Sequence, residues 1–479
     1  SGSRGKLTRS FAGLSYNRLY SKHLTSYQSI LMALMISVSG IRGIFGSHLT
    51  PQNIVEFTAA YGTWLDGGTV VVGRDSRVTG QICEDIVCAT LQSVGCDVVK
   101  AGIVPTPTVA MGVLKHSAKG GLIITASHNP AEWNALKMLN EKSEFLDPEQ
   151  GKRVIEMTQS KDFKFRKFDS IGSVRYDDDL TSYHIQKILE LPYINSELIK
   201  KHNFKVAVDA VNGAGSKALP ALLKALGATI YPLNCEPNGI FPHNPEPLPE
   251  NLTEICDFMK SSDCDLGVVT DPDADRLALV DENGRLFGEE YTQVAAFDFM
   301  LDNKAGDTAT NLSSSRAADD IAEKYGQTCH RASVGEINVV KAMQANNAVI
   351  SGEGNGGVIN PDLHAGRDAL VGTAMILQLL AQRGLSASAY RDSLPHYEMV
   401  KQKIQLADLG LDADELLKKV ADEFSDERIN TLDGVKIDFD EGWVHFRKSN
   451  TEPIVRVYSE GKSEAEARSL ADKVLNVIR

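Results

Sequence analysis

The sequence predicts an α/β protein of three similar mixed α/β domains followed by a C-terminal antiparallel α+β domain. Three observations lead there. From about residue 35 to 395, short apolar runs alternate with helix-like stretches, the rhythm of α/β sheets. Three of these runs end in a polar loop. Beyond residue 396 the rhythm gives way to short strands around a tight turn.

Taken in order, residues 1–34 stand apart. The first acidic residue is Glu56, and Arg4, Lys6, Arg9, Arg18 and Lys22 are spread through Ser- and Tyr-rich sequence. Such a segment reads as an organelle transit peptide or, more simply, as a cloning remnant (Ser1-Gly2-Ser3) and an upstream extension before Met32 or Met35. Periodic apolar sequence starts near Ile36. The first polar-ended run is Gly121-Leu122-Ile123-Ile124, followed by Thr125-Ala126-Ser127-His128-Asn129-Pro130. The second is Leu266 to Thr270, followed by Asp271-Pro272-Asp273-Ala274-Asp275-Arg276. The third is Ala348 to Ser351, followed by Gly352-Glu353-Gly354-Asn355-Gly356-Gly357. Ligands of parallel α/β sheets bind beyond the carboxyl ends of strands, so each run ends at a place suited to a site. The tail reads as a helix over Asp412–Phe424 and strands over Val435–Phe439, Trp443–Arg447 and Ile454–Ser459. A capping box, Ser463 to Glu466, opens a last helix whose apolar face carries Ala467, Leu470, Ala471, Val474, Leu475 and Ile478. The predicted domains are 35–180, 181–283, 284–395 and 396–479.

Composition narrows the function. Hydrophobic residues make up 42% and charged residues 24% of the 479, ordinary for a globular protein. A net charge of -13 argues against a nucleic-acid binder that neutralises phosphates, while leaving room for a small anion held by local basic loops. No run approaches the roughly 18 apolar residues of a membrane helix. Seven cysteines without a CxxC pair suggest neither a disulfide framework nor a zinc site, and the expected location is the cytoplasm.

Four loops carry chemistry. Asp271, Asp273 and Asp275 would repel one another unless a cation sits among them, and their hard oxygens suit Mg²⁺ or Ca²⁺. An EF-hand is the alternative, with Glu282 at the twelfth position, but the sixth position is Arg276 rather than Gly and the flanks read as strands. Arg276 beside three carboxylates points to a substrate anion. Ser127 ends a strand with no GxSxG elbow around it, so a hydrolase triad is not indicated; Lys137, expected in the same loop, is an acid/base or phosphate partner. In the third loop, Glu353 and Asn355 among glycines can hold sugar hydroxyls. In the tail, Arg447, Ser449, Asn450, Thr451 and Arg456 form a phosphate cradle or a plain polar hairpin. Ser39 to Gly43, carrying Arg42, and Gly73 to Arg77 are further Arg-bearing glycine loops.

In this order and spacing, the four loops resemble the α-D-phosphohexomutase superfamily, which includes phosphoglucomutase, phosphomannomutase and phosphoglucosamine mutase. The resemblance covers about 36–479. Minor matches at Pro105-Thr106-Pro107, Asp209 to Gly215, Asn244 to Pro247 and Ser333 to Glu336 support it. It implies four domains around a central cleft, each giving one loop. It also implies that Ser127 is the phosphorylated nucleophile and that Asp271, Asp273 and Asp275 hold Mg²⁺ with the phosphoserine. Arg42 and Arg276 would reach the reacting phosphate and Lys137 would act as acid/base. Glu353 and Asn355 would choose the sugar, and the tail residues would bind the other phosphate. The implied reaction interconverts hexose 1- and 6-phosphates of glucosamine, mannose or glucose through a bisphosphorylated sugar, with hexose 1,6-bisphosphate as activator. The partner is a small phosphosugar, with no nucleic acid and no membrane, and the chain is a monomer or homodimer. One departure is Gly357, where many relatives carry a histidine; His364 is a possible substitute. Two other readings use fewer of these residues. An aspartyl phosphatase with Asp271 attacking leaves Ser127 and the tail unused, and a non-catalytic phosphosugar-binding protein has no need of Ser127 with three carboxylates.

Overall fold

The computed structural model describes residues 34–405, 412–448 and 454–478. Residues 1–33 and the tail-loop residues Ser449, Asn450 and Thr451 lie outside them. Four sheets follow one another along the chain.

The first sheet holds β1 (Met35–Ser37), β2 (Gly40–Ile44), β3 (Gly68–Arg74), β4 (Cys96–Ile103), β5 (Gly120–Ile124), β6 (Trp133–Leu139) and β7 (Val174–Tyr176), in the order β1-β2-β6-β5-β3-β4-β7. The second holds β8 (Lys205–Asp209), β9 (Thr229–Leu233), β10 (Leu266–Thr270) and β11 (Leu277–Asp281), ordered β11-β10-β8-β9. The third holds β12 (Thr308–Asn311), β13 (Cys329–Ala332), β14 (Ile350–Glu353) and β15 (Gly357–Ile359), ordered β13-β12-β14-β15. One device recurs in all three. A parallel strand buried on both faces turns straight back into an antiparallel neighbour: β5 into β6, β10 into β11, β14 into β15. Each predicted site loop is that hairpin connection, so the loops leave equivalent strand ends and the sheets are mixed rather than all-parallel.

Two expectations need correction. Lys137 lies on β6, not in the Ser127 loop, opposite Ile123 on one side and Gly40 on the other. This close pairing requires glycine at 40: its φ is +142°, and a Cβ there would stand 1.8 Å from the Leu136 carbonyl oxygen. The third run is shifted. Ile350 and Ser351 pair with β12, and Gly352 and Glu353 pair with Val358 and Gly357. Glu353 therefore projects from a strand end and the loop shrinks to Gly354-Asn355-Gly356.

The tail forms an antiparallel sheet of β16 (Glu398–Gln405), β17 (Arg428–Asn430), β18 (Val435–Asp438), β19 (Trp443–Lys448) and β20 (Ile454–Gly461), ordered β16-β20-β19-β18-β17. Helices Ala413–Glu423, capped by Asp412, and Glu464–Ile478 cover one face. Leu416, Val420, Phe446, Val457, Val474 and Leu475 make its separate core, each large side chain contributing about 1.5–3 kcal/mol. β16 and β17 add two strands to the three expected. The second and third units share one apolar core, to which Leu219 and Leu223 of the second and Phe297, Phe299 and Met375 of the third all belong.

Candidate functional site

Ser127 sits in a strained turn. Its φ of +50° lies in the left-handed region that non-glycine residues seldom occupy. The turn is held from below by Arg77, itself buried. The guanidinium pairs with Asp75 at 2.9 Å and donates to the carbonyl oxygens of Ser127 (2.6 Å), Asn129 (2.7 Å), Pro130 (2.5 Å) and Trp133 (3.0 Å). Thr125 Oγ1 donates to Asp75 and accepts from the Ser127 amide. Ser127 Oγ is thus aimed at the second sheet, where it donates to Asp271 Oδ2 at 2.6 Å.

Asp271, Asp273 and Asp275 are wholly buried, with one oxygen of each within 4.8 Å of the others. Their outer oxygens are engaged. Asp273 Oδ2 accepts from Lys137 Nζ and from Thr106 Oγ1, both at 2.7 Å, and Asp275 Oδ2 accepts from Arg367 at 2.7 Å. Asp273 Oδ1 and Asp275 Oδ1 are buried without a protein partner. Two orphaned carboxylate oxygens beside a third carboxylate fit a hard divalent cation. The flanking elements are strands, which removes the EF-hand reading. Burial and then the charges of Asp273 and Asp275 push Asp271 well above the usual carboxylate range. Asp273 moves the other way: burial opposes its charge, but Lys137 holds it far below. Burial likewise disfavours the Lys137 ammonium, and Asp273 with Asp275 outweighs that and raises its pKa.

The sequence reading passed over Arg367. It binds three carboxylates at once: Asp275, Glu353 at 3.1 Å and Glu336 at 2.9 Å. An arginine ahead of a helix-capping aspartate, Asp368, carries no local motif, so only the fold reveals it. His128, inside the Ser127 turn, was also passed over. Its Nδ1 lies 3.4 Å from Ser127 Oγ, and burial together with Arg276 and Arg42 pushes the imidazole down to about 2. His364 does not take the place of the histidine absent at Gly357. It is buried against Asp368 at 3.2 Å, a carboxylate that also binds His184, and it lines neither chamber of the cleft described next.

A cleft of about 590 Å³ brings His128, Arg276, Glu353, Asn355, Arg447 and Arg456 together. An adjoining chamber of about 220 Å³ reaches Ser127, Arg42, Lys137, Arg276 and Arg367. Arg42 donates to Asn129 Oδ1 at 2.7 Å, and Arg276 has a buried Nε without a partner. On the tail sheet, Lys403, Arg456 and Arg447 are successive cross-strand neighbours on β16, β20 and β19, and all three line the cleft. They make a cationic row suited to a phosphate group. The tail sheet is held to the third unit by Arg316, which donates to Phe439 O and Gly442 O, both at 2.9 Å. Ser313 reinforces the junction at 2.9 Å from His445 Nδ1.

Three hairpin loops and a basic sheet thus converge on one cleft, with a strained serine beside a metal-competent carboxylate cluster. Comparison with known proteins makes this specific. Models of phosphoglucomutase/phosphomannomutase alpha/beta/alpha domains I, II and III match residues 34–165, 182–284 and 288–397, and the model of the C-terminal domain of that family matches 400–477. The chain belongs to the phosphoglucomutase/phosphomannomutase family of the α-D-phosphohexomutase superfamily. Its relatives include a phosphoglucomutase/phosphomannomutase of Thermococcus kodakarensis, 40% identical over 91% of this chain and 96% of its own. A phosphoglucosamine/phosphogalactosamine mutase of Sulfurisphaera tokodaii is 32% identical over 93% of this chain and 99% of its own. The crystal structure of a phosphoglucomutase/phosphomannomutase family protein from Burkholderia thailandensis shares the fold, with a TM-score of 0.81 over 93% of this chain and 98% of its own at 24% identity. Membership assigns an isomerase-type activity at the level of the family, intramolecular phosphoryl transfer on a hexose phosphate. Among the described residues no helix is long and apolar enough to cross a membrane.

Proposed function

We propose that this chain interconverts the 1- and 6-phosphates of a hexose through a phosphoserine at Ser127 and a bisphosphorylated sugar. The observation that carries the reading is Ser127 Oγ at 2.6 Å from Asp271, beside the orphaned oxygens of Asp273 and Asp275. Each unit contributes one part: 35–180 the serine, 181–283 the carboxylates, 284–395 the sugar loop, 396–479 the phosphate cradle.

Phosphoryl transfer needs positioning and charge neutralisation, and the residues divide those tasks. Asp271, Asp273 and Asp275 would hold Mg²⁺, with the phosphoserine as a further ligand, and the dication supplies neutralisation of the transferring group. Arg42 and Arg276 bind the reacting phosphate from the remaining sides. Lys137, kept as an ammonium by Asp273, serves as the acid. Glu353 and Asn355 hold sugar hydroxyls, while Arg447, Ser449, Asn450, Thr451 and Arg456 bind the phosphate that is not reacting. The bisphosphate turns over in the cleft and returns its other phosphoryl group to Ser127, so added hexose 1,6-bisphosphate restores enzyme that has lost the phosphoserine. The relatives are named for glucose, mannose and amino-sugar phosphates, which leaves glucosamine, mannose and glucose phosphates as the substrates to compare. Asp271 is a poor phosphatase nucleophile, because one oxygen accepts the Ser127 hydroxyl and the other the Arg276 amide. We place the enzyme in the cytoplasm, acting on small phosphosugars.

The test is a coupled assay on all three hexose phosphates with Mg²⁺ and bisphosphate, together with intact mass. Wild type turns over and carries one phosphoryl group in part of the population. Ser127→Ala folds, carries none and does not turn over. Near-wild-type turnover by Ser127→Ala excludes the reading.

A further inference from the structure

His184 is wholly buried and joins all three α/β units. It lies on helix Leu180–Leu189, beside Ile185 and Ile188 of the shared core. Its Nδ1 stands 3.0 Å from Thr108 Oγ1 of the first unit, and its Nε2 donates to Asp368 Oδ2 of the third at 2.9 Å. His364 Nε2 donates to the same oxygen at 3.2 Å, and Asp368 Oδ1 accepts the Leu370 and Val371 amides at 2.8 and 3.2 Å. Both oxygens of Asp368 are thus filled by N–H donors, and the cluster is a hydrogen-bonded brace. The reaction proposed above uses none of it.

The two ends of the brace lead to the metal loop. Helix Thr106–Lys115 begins two residues before Thr108. There the Thr106 amide donates to Asp273 O at 2.9 Å and its hydroxyl to Asp273 Oδ2 at 2.7 Å. Helix Ala369–Arg383 begins directly after Asp368. There the Ala369 amide donates to Ala274 O at 3.2 Å, and Arg367 donates to Asp275 Oδ2 at 2.7 Å. Ala274, between the two aspartates, has a φ of +52°, which a non-glycine residue keeps only where its surroundings impose it. Two helix starts from different units therefore grip one loop, and His184 ties them together.

We infer that His184 is a positioning residue for the metal cluster: by spanning Thr108 and Asp368 it fixes the distance between the helix starts that hold Asp273 and Asp275. The inference rests on the metal assignment in the mutase reading above. Neighbouring carboxylates repel, so their spacing has to be imposed by the elements around them. A small cation that demands near-ideal octahedral geometry is sensitive to that spacing. His184 touches no metal ligand itself, so its effect falls below the about 10- to 100-fold of groups that do.

The experiment titrates Mn²⁺, a paramagnetic stand-in for Mg²⁺, into wild type, His184→Leu and His184→Gln, with the free ion read by electron paramagnetic resonance. Hexose-phosphate KM and Tm are measured on the same preparations. Leucine removes both hydrogen bonds at similar volume, whereas the glutamine Nε2 can still donate to Asp368. The Kd for Mn²⁺ should rise about three- to tenfold in His184→Leu and stay within about twofold in His184→Gln, with KM within about twofold in both. A His184→Leu isotherm coincident with wild type, even with a lowered Tm, shows a brace for stability alone and overturns the inference. A His184→Gln isotherm as weak as that of His184→Leu also overturns it. Should His184→Leu fail to fold, Thr108→Val decides: loss of one hydroxyl should weaken Mn²⁺ binding by about twofold or more, and an unchanged Kd overturns the inference. A wild type that binds Mn²⁺ but turns over no hexose phosphate overturns the mutase reading alone; a wild type that binds no Mn²⁺ overturns both.

Discussion

Arg367 reaches from the third unit to the second, its Nη2 2.7 Å from Asp275 Oδ2, and with the rest of its guanidinium it holds Glu353 and Glu336. One cation thereby joins the metal-competent cluster to the sugar loop. Burial opposes its charge, yet Asp275, Glu336 and Glu353 raise its pKa well above the ordinary value. Removing one partner from a buried network leaves uncompensated charge, at a cost of about 3–5 kcal/mol. Arg367→Met should lose that much stability in denaturant unfolding, and adding Glu336→Gln should recover part of it. A loss below about 1 kcal/mol would place Arg367 among ordinary surface pairs.

Asp273→Asn tests the metal. Asparagine keeps an acceptor for Thr106 but gives up the charge that binds Lys137 and the cation. The concentration of Mg²⁺ for half-maximal rate should rise by about tenfold or more, with the maximal rate falling further than sugar affinity, since the charge matters most in the transition state. Coincident Mg²⁺ activation curves for the two proteins would remove Asp273 from the metal site.

Arg447 should act on substrate binding. Its Nε lies 3.3 Å from Asp433, which orients the planar fork toward the cleft, and lysine lacks that geometry. Arg447→Lys is expected to cost about 1.5–3 kcal/mol, the range for hydrogen bonds to charged groups, or roughly 10- to 150-fold in kcat/KM. Ser127 should still be phosphorylated by excess bisphosphate, as intact mass would report. An unchanged kcat/KM leaves the tail row a structural feature.

His445 gives the junction between the third unit and the tail a pH dependence. Its Nε2 donates to the Asp433 carbonyl at 2.6 Å, and its Nδ1 faces Ser313. Burial pushes the imidazole from 6.5 down to about 4. The unfolded chain therefore binds the proton first. The contribution is complete above pH 6.5 and is lost as pH falls from there through 4, on the order of 3 kcal/mol in all. The Tm of wild type should fall across that window more steeply than that of His445→Gln, and parallel curves would show that His445 is not the group responsible.

Strand and loop positions were legible because periodicity is local. Leu266–Thr270 is a strand over the span expected, and the tail strands fall within two residues of their predicted ends. Where neighbours decide, the reading slipped. The third run moved by two residues because β15 draws Gly352 and Glu353 into a hairpin, and Lys137 became a strand residue because β2 and β5 pair on either side of β6.

By itself, the sequence determined which groups are available for chemistry: a serine and three alternating aspartates at strand ends, an acidic glycine loop, and arginines in the tail. Those choices are written in short motifs, since spacing along a strand or turn settles which side chains share a loop. Only the tertiary structure decided which partners meet. Asp271 and Ser127 are 144 positions apart and hydrogen-bonded, and Arg367 belongs to no motif yet binds three carboxylates. Each of these depends on the packing of one sheet against another, and the charge balance of a buried group is set by all its neighbours in space, few of which are its neighbours in the chain.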